Sequence, residues 1–157
     1  MNDSEYHYTT YIRTTPDKVW AAITTPEFTR QYWGKANMSD WKTGSRWEHR
    51  GDDGVTRVTG IVAESVPPQR LVLTWAAPGD HDFPERHSRV TFEIDAIDDM
   101  VRLHVAHELL IAGSDMAKGI SGGWPRVLSS LKTFLETGKA LDTFAGISTA
   151  CSPAKVK

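Results

Sequence analysis

Six histidines, one cysteine and a run of glycines are the residues of this chain with the plainest chemical options. His104 and His107 stand three apart in MVRLHVAHEL, which alternates like a strand, so their side chains leave opposite faces and cannot share one metal ion. His81, Asp82 and His87 fall in a polar loop, APGDHDFPERH, whose spacing matches no zinc signature. The expectation is a solvated loop, with no metal and no cofactor. Cys151 lies close to the C-terminus, and no serine sits in a strand-turn-helix Gly-x-Ser-x-Gly context, so covalent catalysis has no candidate. Glycines 113, 119, 122 and 123 lack a following Gly-Lys-Ser/Thr and are read as turning the chain into a last helix. His107, followed by Glu108, continues the apolar row of Leu103 and Val105 and so points to the side a covering helix occupies. There it can orient a polar ligand or donate a proton. The plainer reading is a core histidine satisfied by a hydrogen bond, because buried polar groups are paired for structural reasons alone. The same choice applies to His49, which shares a face with Trp47, while Arg89 and Glu93 face solvent and take no role.

The elements that must hold these residues follow from local pattern. Tyr6 to Thr14 is rich in β-branched and aromatic residues and reads as a strand. Thr15-Pro16-Asp17 and Thr25-Pro26-Glu27 each supply a cap, a proline for the first helical position and an acid for the positive helix end, giving short helices over about 17–24 and 26–32. WGKANMSDWKT, at 33–43, shows neither period. SRWEHR is a second strand, and GDDG at 51–54 turns into TRVTGIVAESV. Pro67-Pro68 stops that strand, and RLVLTW, SRVTFEIDAI and MVRLHVAHEL complete a meander of six strands in all. Trp124, Val127, Leu128, Leu131, Phe134 and Leu135 recur at helical spacing, with Pro125 in the first turn and Gly138 past the end. The sequence therefore implies an α+β domain over 1–138 in the order β-α-α-β-β-β-β-β-α, a curved antiparallel sheet gripping a long C-terminal helix. A loose tail is expected over 139–157.

With 157 residues, the chain fits one domain. Eighteen basic against twenty acidic residues give a net charge of −2 with both signs scattered, which removes the footprint of nucleic-acid binding. MNDSEYHY carries no signal-like pattern and no apolar run approaches a membrane span; with a single cysteine, a cytoplasmic protein off the membrane is expected.

Four ordered strings carry a resemblance: YTTYIRTTPDKVWAAITTPEFTRQYWG, SDWKTGSRW, the Pro-Pro turn before RLVLTW, and GWPRVLSSLKTFLETG. Together, from about Tyr6 to Gly138, they resemble the bacterial relatives of the activator of heat-shock protein 90 ATPase, within the START-like or SRPBCC superfamily and its helix-grip fold. That resemblance implies a scaffold shared by lipid carriers, hormone receptors, polyketide cyclases and co-chaperone domains, with stress response among its associations. It transfers no catalytic residue. The eukaryotic activator carries a separate N-terminal domain that also engages the chaperone, and this sequence has no counterpart of it.

The aromatics set the remaining question. An empty cavity of ~300 Å³, the small end for ligand sites, would cost about 7 kcal/mol, comparable with a whole domain's net stability of roughly 5–15 kcal/mol. Such a space must be occupied, wet and polar-lined, or filled by rings. The leading expectation is a non-enzymatic domain binding a small apolar molecule between helix and sheet. Its pocket residues are Trp33, Trp47, His49, Trp75, Phe92, Leu103, Val105, His107, Trp124, Leu128 and Leu131. The alternatives are a co-chaperone-like accessory protein that touches a chaperone through its surface, and a cyclase-type enzyme. Exposed sheet edges leave monomer and homodimer both open.

Overall fold

Alternation along the strands decides which side of the sheet is apolar. In the computed structural model, which describes residues 4–141, the strands are β1 (Tyr6–Ile12), β2 (Ala36–Met38), β3 (Arg46–Arg50), β4 (Thr56–Val66), β5 (Arg70–Trp75), β6 (Ser88–Ile97) and β7 (Met100–Glu108). They form one antiparallel sheet in the order β1-β7-β6-β5-β4-β3-β2. Register stacks the inward residues: Leu71 lies opposite Phe92, Leu73 opposite Val90, Phe92 opposite Val105 and Ile94 opposite Leu103. All of these are buried.

Three helices complete the fold: α1 (Pro16–Thr24), α2 (Pro26–Trp33) and α3 (Asp115–Thr137). Thr15 caps α1, its hydroxyl accepting from Lys18 N, and Gly34 ends α2 in the left-handed conformation. Thr25 precedes α2 without a side-chain capping bond. The inner stripe of α3, with Trp124, Val127, Leu128 and Leu131 buried, covers the concave face and gives the expected helix-grip architecture.

Two expectations need correction. The sheet has seven strands rather than six, because β2 pairs with β3 inside the segment that shows no period. Three residues are too few to display alternation, and tertiary bonds hold them: Asn37 N donates to Thr29 Oγ1 (2.9 Å) and Asn37 Nδ2 to Ile23 O (3.4 Å). The second correction concerns α3, which begins at Asp115 rather than near Trp124. Glycines 119, 122 and 123 lie within it, and Pro125 sits mid-helix. Ser114 caps the true start by accepting from Ala117 N (3.1 Å), and Met116 and Ile120 pack into the core cluster. Packing thus overrides poor intrinsic propensity. At 23 residues the helix is ~34 Å long. Part of the expected loose tail, 142–157 with Cys151, lies outside the described residues.

β4 carries irregularities in both of its ladders. Its ladder to β3 slips between His49 and Arg50, and its ladder to β5 slips between Val62 and Glu64. Between those bulges sits Gly60, where a Cβ would lie 1.9 Å from Thr74 O and 2.7 Å from Trp47 Nε1. Only glycine lets the Trp47 ring close over the strand, with its Nε1 donating to Thr74 O at 2.8 Å.

Candidate functional site

One end of the concave face is closed and the other open. At the closed end His107 is 0% exposed, and both ring nitrogens are engaged. Trp124 Nε1 donates to His107 Nδ1 (3.1 Å), His107 Nε2 donates to Ser88 Oγ (2.7 Å), and Ser88 Oγ donates to Trp75 O (3.1 Å). This chain ties α3 to β7, β6 and β5 through groups that leave His107 no capacity for a ligand. Burial pushes the His107 imidazole down to about 3 from an ordinary 6.5, so the ring is neutral at physiological pH.

The open end is a cavity of about 430 Å³ between the end of α2, β3, β4, the end of β5 and the first half of α3. Three indoles form its apolar wall: Trp33 and Trp124 with ring centres 5.5 Å apart, Trp75 and Trp124 5.7 Å, and Trp33 and Trp75 6.3 Å. Val58, Met116, Ile120 and Val127 add aliphatic surface, and Gly119 and Gly123 place helix backbone at the wall. Its polar groups are Lys35, His49, Arg57 and Asp115. His49 is 5% exposed and lies 4.6 Å from the Trp33 ring. Its Nδ1 donates to Asn37 Oδ1 (2.6 Å), which leaves Nε2 as an acceptor in the neutral ring. Burial first, and then the neighbouring Lys35 charge, lower His49 to about 3.

Of the residues expected to form a pocket, Trp33, His49, Trp75 and Trp124 line this cavity. Trp47, Phe92, Leu103, Val105, His107, Leu128 and Leu131 pack in the closed core beside it. Sequence reasoning missed Lys35 and Arg57. Lys35 follows a helix-ending glycine in the unpatterned segment, and Arg57 owes its direction to a bulge: His49 pairs with Val58 and Arg50 with Thr56, so Arg57 is the extra residue. Consecutive residues Arg57 and Val58 therefore both reach the cavity, against simple alternation.

No catalytic constellation surrounds the cavity among the described residues. Gly119 to Gly123 spells Gly-x-Ser-x-Gly, but Ser121 is exposed within a continuous helix and donates to Lys118 O (3.1 Å). That is not the strand-to-helix elbow a nucleophile needs. In the polar loop His87 is held by Thr74 Oγ1 (2.9 Å) and His81 O (2.9 Å), which orients its ring within the protein. Among the described residues, one grouping of potential metal ligands occurs, Glu5, His7 and Glu108 on the outer sheet face; Glu108 also pairs there with Arg89 (3.3 Å).

Comparison with known proteins places this geometry in context. The family model described as "Activator of Hsp90 ATPase homolog 1-like protein" matches residues 13–136. Among solved structures, the Aha1 dimer from Colwellia psychrerythraea superposes with a TM-score of 0.73 at 20% identity, covering 87% of this chain and 98% of that one. An HSP90 activator from Plasmodium falciparum gives 0.71 at 19% identity, covering 84% and 96%. CalU16 from Micromonospora echinospora gives 0.67 at 21%, covering 85% and 77%. At these identities the likeness establishes the fold. No curated protein matches the chain. No helix among the described residues is long and apolar enough to cross a membrane.

Proposed function

The chain belongs to the Activator of Hsp90 ATPase homolog 1-like family, and from that premise we propose that it binds a small, largely apolar molecule between α3 and the concave sheet, without catalysing its conversion. The observation that carries this reading is the cavity walled by Trp33, Trp75 and Trp124. Left dry, an apolar space of that size would cost roughly 10 kcal/mol, about the whole net stability of a domain. Three of the six tryptophans line this space rather than filling it. Burial of an apolar ligand would drive binding at about 25 cal/mol per Å², with His49 giving orientation. Native and denaturing mass spectra of the freshly purified protein provide the test. A reproducible adduct lost on denaturation supports the reading. A clean mass together with no change in melting temperature across a panel of apolar ligands counts against it.

The family description supports a second reading, an accessory protein acting on a heat-shock protein 90 homologue. Enrichment of that chaperone from native cytosol is its test, and failure to enrich it removes the support. The same native spectra report whether the chain is a monomer or a homodimer.

A further inference from the structure

A buried hydrogen-bond relay fixes which nitrogen of the cavity's histidine carries the hydrogen. It starts at Ile23 O, a carbonyl of α1 that can only accept, so the Asn37 amide turns its Nδ2 toward it (3.4 Å) and its Oδ1 away. That Oδ1 can only accept as well, and it lies 2.6 Å from His49 Nδ1, which must therefore be the N–H of the ring. The lone pair of the neutral ring is thereby assigned to Nε2. Asn37 is 2% and His49 5% exposed, so the tautomer is set inside the protein. Burial first, and then the Lys35 charge, keep a second proton off the ring.

His49 Nε2 has no hydrogen-bond partner among the described residues. The fully buried side-chain nitrogens without a partner among those residues belong to Trp41, Arg50, Arg57 and Trp75, so Nε2 is not sealed off as they are. The ring lines the cavity, and Nε2 therefore opens onto it. It stands at the edge of the indole wall, the ring centre 4.6 Å from that of Trp33 and 6.3 Å from that of Trp75. Other polar groups of the wall are differently placed: Arg57 is paired with Asp53 through Nη2 (2.8 Å), and Asp115 is exposed in the first turn of α3. The cavity thus offers a guest an aromatic wall with a fixed, uncharged acceptor at its edge.

We infer that the ligand of this cavity is a flat apolar molecule bearing an uncharged donor, a hydroxyl or its N–H equivalent, which it donates to His49 Nε2 while its body lies against Trp33, Trp75 and Trp124. This inference rests on the ligand-binding reading above. It adds that a single donor selects among apolar molecules of equal shape. An acceptor covered by a methyl group loses its hydrogen bond to water and gains none in return, whereas a hydroxyl restores it. A cationic donor would meet the Lys35 charge that already opposes a proton on this ring.

Equilibrium dialysis of the wild-type chain and of His49→Phe with two probes of one shape, 2-naphthalenemethanol and 2-ethylnaphthalene, tests it. Hydration differences between the probes cancel when their affinity ratio is compared between the two proteins. The ratio of alcohol to hydrocarbon affinity should be at least tenfold higher in the wild type than in His49→Phe. On the wild type alone, the nitrogen NMR resonance of His49 Nε2 should be that of an unprotonated ring nitrogen, moving upfield when the alcohol binds and far less with the hydrocarbon. Equal ratios in the two proteins, an Nε2 that carries the hydrogen, or an Nε2 resonance that both bound probes leave alike overturns the donor inference and leaves the ligand-binding reading standing. Failure of both probes to bind removes that reading and the inference with it. If His49→Phe fails to fold, the Nε2 resonance of the wild-type chain decides alone.

Discussion

His107 and His49 look alike in the sequence, each a histidine on the inward row of a strand, yet they end in opposite surroundings. His107 lies at the closed end of the grip, where Trp124, Ser88 and the Trp75 carbonyl account for its bonding capacity. His49 lies at the open end, fixed on one side by Asn37 and facing a cavity that also holds Lys35 and Arg57. The same scaffold thus closes one end around a hydrogen-bonded core and leaves the other end open. The difference comes from what covers each strand. Beyond the cavity α3 presents Leu128 and Leu131 to the closed core, whereas at the cavity it presents Gly119 and Gly123 among Met116, Ile120 and Val127.

The largest test of that contrast is truncation in each region. Leu128→Ala, at the closed end, should lower unfolding free energy by ~2–5 kcal/mol in chemical denaturation. Met116→Ala, at the half-buried cavity mouth, should cost less than about 1 kcal/mol. Comparable losses would mean that the cavity end is as structural as the core.

Acid should act on both ends. Each imidazole is held neutral in the fold, near 3 against an ordinary 6.5, so below pH 6.5 the unfolded chain takes up protons that the folded chain refuses. The corresponding stability is fully present above about pH 6.5 and is lost as pH falls toward 3, at up to ~1.4 kcal/mol per pH unit for each histidine. Denaturant midpoints measured from pH 7 to pH 4.5 should show the decline, and His107→Gln should flatten it.

A smaller effect separates hydrogen bonding from volume. Trp124→Phe keeps most of the ring but removes the donor to His107 Nδ1, and should cost ~1–3 kcal/mol. Smallest in stability is Met116→Trp, expected to change it by less than about 1 kcal/mol while filling the cavity and weakening an apolar probe such as 2-naphthalenemethanol at least tenfold.

The sequence made the closed end legible and the open end only partly so. Regular alternation in β5, β6 and β7 names Leu71, Phe92, Val105 and their neighbours directly, since a period of two needs only local residues. The cavity depends on departures from period. β2 is too short to show one, the bulge reverses the direction of Arg57, and glycines with a proline conceal the first half of α3. Of the cavity wall, only the large rings and His49 signalled themselves, because bulk and imidazole chemistry are visible without tertiary context.

The most direct measurement is a two-dimensional amide NMR titration with a flat apolar probe, 2-naphthalenemethanol. Saturable shifts are expected at Trp33, Lys35, His49, Arg57, Trp75 and the first half of α3, with Leu103, Val105 and Leu131 nearly still. Shifts on the outer sheet face, or none at concentrations where the probe is soluble, would contradict it.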